Sequence, residues 1–525
     1  LRCSEKSRRL LIVLAACLVV APRLIFLQVP FERDEGCYAY VSDTIDRGDL
    51  PYRDAFDHKP PGIYYLYNLS FKLFGRSVEA PRVTALFFSA VAALLTHLLV
   101  RKLGGTLWAG VVSMAFLGLA SASPVYTGFD ANTEIFTLPF LLGGCVALLG
   151  RARTRCRFFT SGLLFGLGFV IKQVAAAVAV PVFLCAAFRL RKEPRTLIIA
   201  SLLFVVGAAA PFACFTLYFT ANGAFHEFWE GFFVYNSSYV GEVPWAVASK
   251  RFLSRTAQIV ESDPFLWSAA TGGILLFLVS ERRSFRRWFL TASLVGSFAA
   301  TALGRYFYPH YYVVLLPFLA AAIGVGMSAP RKEVGRGLTH TLGTALFLAS
   351  LVFQARFFTL PNDILLENLY GTNPFFQSTA VGGFLRSRAT PDSTVFIVGS
   401  EAQILFYSGL RASSRIFYFY PLVTDSPLRR PFRGEVLESL ESRPPRFVLL
   451  VNSVTSHMIV SARDEPYIRA IRALLSGYRS IGFSPFGSRE VLCDPVAVRK
   501  GLQSNAPGSI MVYERILESR RGSKP

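Results

Sequence analysis

Residues 31–77 read FERDEGCYAYVSDTIDRGDLPYRDAFDHKPPGIYYLYNLSFKLFGRS, and this stretch decides the fold because of what flanks it. Before it lies an apolar block, Leu10 to Val29, led by Arg8 and Arg9; after it, an apolar segment near 81–100 opens a series. A helix needs about 20 mostly apolar residues to cross a bilayer. The quoted stretch therefore reads as a loop between two spans, dense in acids and bases beside the membrane surface. The first block is longer than a signal-peptide core and no small-residue cleavage site precedes the acidic loop, so it is expected to be an uncleaved anchor with its N-terminal side inside. Further outward, apolar segments near 107–123, 133–150, 158–171, 173–188, 197–220, 264–280, 288–303, 309–328 and 338–358 bring the expected number of spans to eleven.

Composition and charge agree with a polytopic helical membrane protein. Of 525 residues, 52% are hydrophobic and 17% charged, against roughly 25% charged in soluble domains. The formal charge of +21 arises from 55 Lys+Arg and 34 Asp+Glu. A nucleic-acid protein would gather such charge on one surface. Here it falls in short clusters between apolar blocks: Arg101 and Lys102; Arg151, Arg153, Arg155 and Arg157; Arg189, Arg191, Lys192 and Arg195; Arg282, Arg283, Arg286 and Arg287; Arg331, Lys332 and Arg336. With eleven spans every cluster lies inside, and loops 30–80, 124–132, 221–263 and 304–308 lie outside with the C-terminal region. The eight cysteines show no metal-ligand spacing, and Cys37 and Cys493, both on the outer side, are expected to stay free.

From about residue 378 the pattern changes. Short β-rich runs (Thr394 to Val398, Arg415 to Tyr420, Arg446 to Val451, Ile510 to Tyr513) alternate with helical stretches such as Arg433 to Glu441 and Pro466 to Leu475, which predicts a small soluble α/β domain with a partly parallel sheet. The expected division is 1–377, a transmembrane catalytic domain, and 378–525, an external domain serving as lid or acceptor-docking module. No nucleotide-binding loop and no clustered Ser, His and Asp occur in it.

The chemistry is expected in the loop between the first two spans. Asp34 and Glu35 follow the first span directly, where partial desolvation raises a carboxylate's basicity. Tyr38 to Arg47 has a helical period and an apolar side suited to the membrane interface. His58 and Lys59 precede Pro60 and Pro61, which place an ammonium at a rigid extended turn, and an aromatic-rich helix, Ile63 to Phe74, follows.

These features resemble the GT-C glycosyltransferases, nearest the groups of the protein O-mannosyltransferases and the lipid A aminoarabinose transferase. The resemblance rests on the Asp34-Glu35 pair, RGDLPYRDAFDHKPPGIYYLY (47–67), DANTEIF (130–136), Lys172-Gln173 in a tight external turn, and GRYFYPHYYVVLLP (304–317). It covers roughly the first 330 residues and is strongest over 30–140. It implies a cell-envelope enzyme, in a bacterial inner membrane, that takes a sugar from a polyprenyl-phosphate donor and passes it with inversion to a lipid, glycan or protein acceptor on the outer face. In that reading Asp34 is the general base with Glu35 beside it. Lys59, Lys172, Arg305 and His310 hold the donor phosphate, and Tyr38, Asp57, His58, Asp130, Glu134 and Tyr311 line the substrate site. No closed set of metal ligands is present, and dependence on a divalent metal stays open.

Each residue also has a plainer reading. Asp34 and Glu35 are also read as solvated loop charges, Lys59 as a lysine snorkelling to the interface, Asp130 and Glu134 as acids capping a helix dipole, Lys172 and Arg305 as anchors of helix ends, and His310 as a hydrogen-bonded interfacial residue. The alternatives of another kind are a transporter or flippase of lipid-linked sugars, which would carry midplane charges on broken helices, and an enzyme like the O-antigen polymerases and ligases.

Overall fold

The computed structural model describes residues 13, 17, 19–280, 284–330, 332–457, 465–504 and 506–516. Arg8, Arg9, most of Leu10 to Leu18, Arg282, Arg283 and Arg331 lie outside the described residues. The chain divides into two compact units, and both are discontinuous: unit 1 holds Leu1–Val29, Lys59–Asn222 and Val243–Leu365, and unit 2 holds Pro30–His58, Gly223–Glu242 and Leu366–Pro525.

Unit 1 is helical. The ten apolar segments after the first are helices: Glu79–Lys102, Leu107–Ala122, Thr133–Leu148, Thr154–Phe169, Ala175–Phe188, Pro194–Ala221, Pro264–Ser280, Phe285–Ala302, the run Pro309–Val314 continued by Leu316–Met327, and Glu333–Phe358. Polar side chains start several of them. Thr106 accepts from the Ala109 amide at 3.2 Å, Asn132 from the Thr133 amide at 2.8 Å and Ser284 from the Arg287 amide at 3.1 Å, satisfying donors that a helix start leaves open. Leu316–Met327 is buried at every residue and forms the centre of the unit. Helices Glu79–Lys102, Ala175–Phe188 and Pro194–Ala221 instead expose Phe87, Leu184, Leu202 and Val205, the apolar exterior expected of a surface that lipid covers. Four described helices are each long and apolar enough to cross a membrane, or five if Trp245–Ser262 and Pro264–Val279, bent by 104° at their junction, count as one broken span.

Unit 2 is built on a five-stranded sheet: β1 Thr394–Val398, β2 Arg411–Ala412, β3 Phe447–Asn452, β4 Tyr478–Ser484 and β5 Ser509–Arg515, in the order β2-β1-β3-β5-β4. The first three strands are parallel, and β5 runs antiparallel to both its neighbours. Helices Arg429–Ser442 and Glu465–Leu474 fall where helical patterning is expected. Arg415 to Tyr420 is not a strand, because its polar groups are taken by other partners: the Phe419 amide donates to Ser400 Oγ at 3.2 Å and the Arg415 carbonyl accepts from the Phe56 amide at 2.8 Å. Residues 30–58, the first part of the loop expected after the first apolar block, belong to this unit. Their helix, Arg33–Asp46, packs on the short helix Gln403–Ser408, where a Cβ on Gly36 would lie 2.6 Å from the Gln403 nitrogen. Cys37 is buried and Cys493 exposed, and neither is in a disulfide.

Candidate active site

In unit 1, two turns bring the basic residues of the early helices together. The Lys59-Pro60-Pro61 turn opens helix Gly62–Phe74, and the Gly62 amide donates to the Val170 carbonyl at 2.8 Å. A Cβ at position 62 would sit 2.6 Å from that carbonyl oxygen, so only glycine permits the approach. The contact holds the Lys59 turn beside the turn that carries Lys172.

Glu134 is the acceptor on which these groups converge. It lies in the first turn of Thr133–Leu148 with its side chain 1% exposed. Lys172 Nζ donates to Glu134 Oε1, and to Thr133 Oγ1 at 3.2 Å. Thr133 Oγ1 donates in turn to Glu134 Oε2 at 2.9 Å. His310 Nε2 stands 3.8 Å from Glu134 Oε1, and Lys59 interacts with the same carboxylate through space. The Lys172 ammonium lies 5.0 Å from the centre of the Tyr311 ring, which packs edge-on to His310 at 4.8 Å. Lys172 and His310 thus share one buried carboxylate, on which the Lys59 charge also acts through space.

Arg305 has other partners. It adopts φ 56° and Phe307 φ 50°, both left-handed without glycine, a backbone state that costs about 1–3 kcal/mol and clusters at functional loops. Its guanidinium stacks 4.2 Å from the Trp245 ring centre and donates to the Val243 carbonyl at 3.1 Å. Asp130 Oδ1 is 3.9 Å from Arg82 Nη2, and Arg82 also donates to the Phe26 carbonyl at 2.9 Å and to that of Val29. Sequence reading missed Arg82 because a single basic residue inside an apolar run gives no spacing signal.

In unit 2, Asp34 sits in the first turn of helix Arg33–Asp46. Glu32 caps that helix, accepting from the amides of Asp34 and Glu35 at 2.9 Å each, and the Glu32 amide donates to Glu35 Oε2 at 3.3 Å. This reciprocal cap buries Glu35 and leaves Asp34 partly exposed, with Tyr38 Oη donating to Asp34 Oδ2 at 3.4 Å. The cap's signal, Glu32 three residues before Glu35, was present in the sequence. Asp57 is 2% exposed; its Oδ1 accepts from the His58 amide at 2.7 Å and from Tyr418 Oη at 3.1 Å. Burial, then the Asp57 charge, pushes the Tyr418 hydroxyl well above its usual range, so it stays a donor. Among the described residues no three His, Cys, Asp or Glu side chains converge as metal ligands.

Residues 58–220 match the family model "Dolichyl-phosphate-mannose-protein mannosyltransferase". The fold is similar to that of ArnT from Cupriavidus metallidurans bound to undecaprenyl phosphate, at TM-score 0.58 and 13% identity over 97% of this chain and 98% of that one. The apo ArnT of the same organism matches at 0.55 and 14%, over 84% and 92%. The archaeal oligosaccharyltransferase AglB from Archaeoglobus fulgidus, in complex with an inhibitory peptide and a dolichol-phosphate, matches at 0.53 and 12%, over 93% and 74%. At these identities the structural likeness is one of fold. No curated protein sequence matches the chain. Family model and fold together bear out the resemblance to membrane glycosyltransferases of the GT-C type, and glycosyltransferase is the enzyme class they carry.

Proposed function

We propose that this protein transfers a sugar from a polyprenyl-phosphate donor to an acceptor on the outer face of a bacterial inner membrane, with inversion at the anomeric carbon. The observation that carries the reading is the convergence of Lys172, His310 and Lys59 on buried Glu134, three of these four residues falling within the matched stretch 58–220. Departure of a polyprenyl phosphate develops negative charge on oxygen, and cations already in place lower that barrier without reorganising. Glu134 holds Lys172 by a hydrogen bond, with His310 beside the same carboxylate oxygen, until the phosphate arrives. Arg305 belongs to the same binding role through the loop it shares with His310; Tyr311 and Asp130 of the same unit, and Tyr38, Asp57 and His58 of the other, are assigned as substrate-binding residues.

Asp34 is assigned as the base that takes the acceptor hydroxyl's proton. Its carboxylate is partly exposed on a capped helix start, whereas that of Glu35 closes the cap. The membrane domain of this reading is 1–377, with eleven spans, and 378–525 lies outside. The apolar helices hold the lipid tail. The test is to incubate the purified protein with a panel of polyprenyl-phosphate sugars and follow release of polyprenyl phosphate; consumption of one donor supports the reading, and none across the panel refutes it.

A further inference from the structure

The parallel strands β1 and β3 lie side by side, and the chain leaves β1 toward β2 on its other side. In sheets wound this way the crevice at the carboxyl ends of two such strands is the usual ligand-binding position. Here a side chain of the same unit fills it. Arg33, from the helix that carries Asp34, enters between the segment after β1 and the segment after β3.

The crevice is built around that guanidinium. Glu401 Oε1 accepts from Arg33 Nη2 at 2.8 Å and from Nε at 2.9 Å, with the carboxylate 0% and the guanidinium 11% exposed. Glu401 Oε2 accepts from Ser456 Oγ and from the Ser400 amide at 3.0 Å. Asn373 Oδ1 accepts from Arg33 Nη2 and from Thr455 Oγ1, and the Thr455 carbonyl accepts from Arg33 Nη1 at 3.2 Å and from Tyr420 Oη at 2.7 Å. Two further contacts hold the same helix start. The Phe31 amide donates to Tyr407 Oη at 2.8 Å, and Gly36 touches Gln403. A buried carboxylate whose two oxygens are both engaged holds a guanidinium in one geometry.

We propose that Glu401 is a positioning residue for Asp34: by fixing Arg33 in the crevice it sets the helix start on which Asp34 is displayed, so the sheet-bearing C-terminal region is part of the catalytic apparatus. The proposal rests on the assignment of Asp34 as base. A misplacement of about 1 Å in a catalytic group costs on the order of 100-fold in rate.

The test uses the full-length protein in lipid nanodiscs. Glu401→Gln keeps the shape and removes the charge, and should lower kcat by about 10- to 100-fold with donor KM changed less than about 2-fold. Asn373→Ala, which leaves Glu401 in place, should lower kcat by a smaller factor. In an Asp34→Asn background, Glu401→Gln should add less than about 2-fold, because residues acting as one unit are not additive. A merely structural role would instead multiply the two losses. Amide hydrogen exchange across residues 31–40 supplies a readout independent of turnover: it should rise in Glu401→Gln while residues 107–122 stay as in the wild type. Unchanged exchange at 31–40, unchanged kcat in both variants, or multiplied losses in the double variant would overturn the proposal. A wild type that consumes no donor refutes the functional reading instead, and the exchange measurement then still decides whether Glu401 sets this helix start.

Discussion

Asp34 stands on a helix start that Glu32 and Glu35 close from both directions, so its backbone is fixed while its carboxylate keeps access to solvent. Loss of a positioned base lowers turnover by about 100- to 10,000-fold. Asp34→Asn should therefore abolish most turnover with donor binding largely kept, measured as polyprenyl phosphate release beside donor affinity; wild-type rates would remove Asp34 from the mechanism. Lys59 is held in its turn by the Gly62 to Val170 contact. A charged hydrogen bond to phosphate contributes about 1.5–3 kcal/mol, so Lys59→Ala should lower kcat more than it weakens donor binding. Lys59→Arg should rescue in part, since a guanidinium fork does not put its charge where an ammonium does. A lysine that only snorkels would change neither quantity. The residue types of both clusters were legible as motifs in the sequence. Their partners were not: Lys172 is 38 positions from Glu134 and Glu401 is 368 from Arg33, separations at which spacing carries no signal.

The apolar helices, Arg429–Ser442, Glu465–Leu474 and strands β1, β3 and β5 were legible because each satisfies its own periodicity, whereas Trp245–Ser262 lies in the stretch 221–263 expected to be a loop. Helix Arg33–Asp46 begins earlier than its apolar period, Tyr38 to Arg47, because the cap and not the apolar face sets its start. Strand β4 escaped because Tyr478–Ser484 mixes Arg, Ser and Gly and carries a register shift between Ser480 and Gly482. It is tied to the sheet through Glu514 of β5, which pairs with Arg446 at 3.1 Å and with Arg479 of β4 at 3.2 Å. Burial alone would raise the Glu514 carboxyl, but the hydrogen bonds and charges of Arg479 and Arg446 outweigh it and hold the group below its ordinary value. A carboxylate whose value is lower folded than unfolded stabilises above the unfolded value, about 4.3, and loses that contribution as pH falls through the folded value. The stability difference between wild type and Glu514→Gln should accordingly be full at neutral pH and fade below about pH 4, read from thermal unfolding of the whole protein; a difference independent of pH would show that the pairing contributes nothing.

Across the whole molecule, the ten later apolar blocks were legible as helices, since apolar length is the strongest signal a chain carries. That residues 30–58 share a unit with residues 366–516 was not legible, because it depends on side-chain contacts between distant segments. The eleven-span arrangement has a direct check in two native thiols, Cys156 and Cys493, both exposed. A membrane-impermeant maleimide on intact cells should modify Cys493 and spare Cys156, with both reacting after permeabilisation; modification of Cys156 in intact cells would reverse the topology. The central claim, transfer of a sugar off a polyprenyl phosphate, is tested most directly by a donor labelled with one isotope in the sugar and another in the lipid, supplied to the protein reconstituted in vesicles with membrane extract as acceptor source. The account predicts that the labels separate, the sugar label moving to acceptor and the lipid label appearing as polyprenyl phosphate, and that Asp34→Asn suppresses the separation. Labels that stay together, whether the donor remains in place or crosses the bilayer intact, would contradict it.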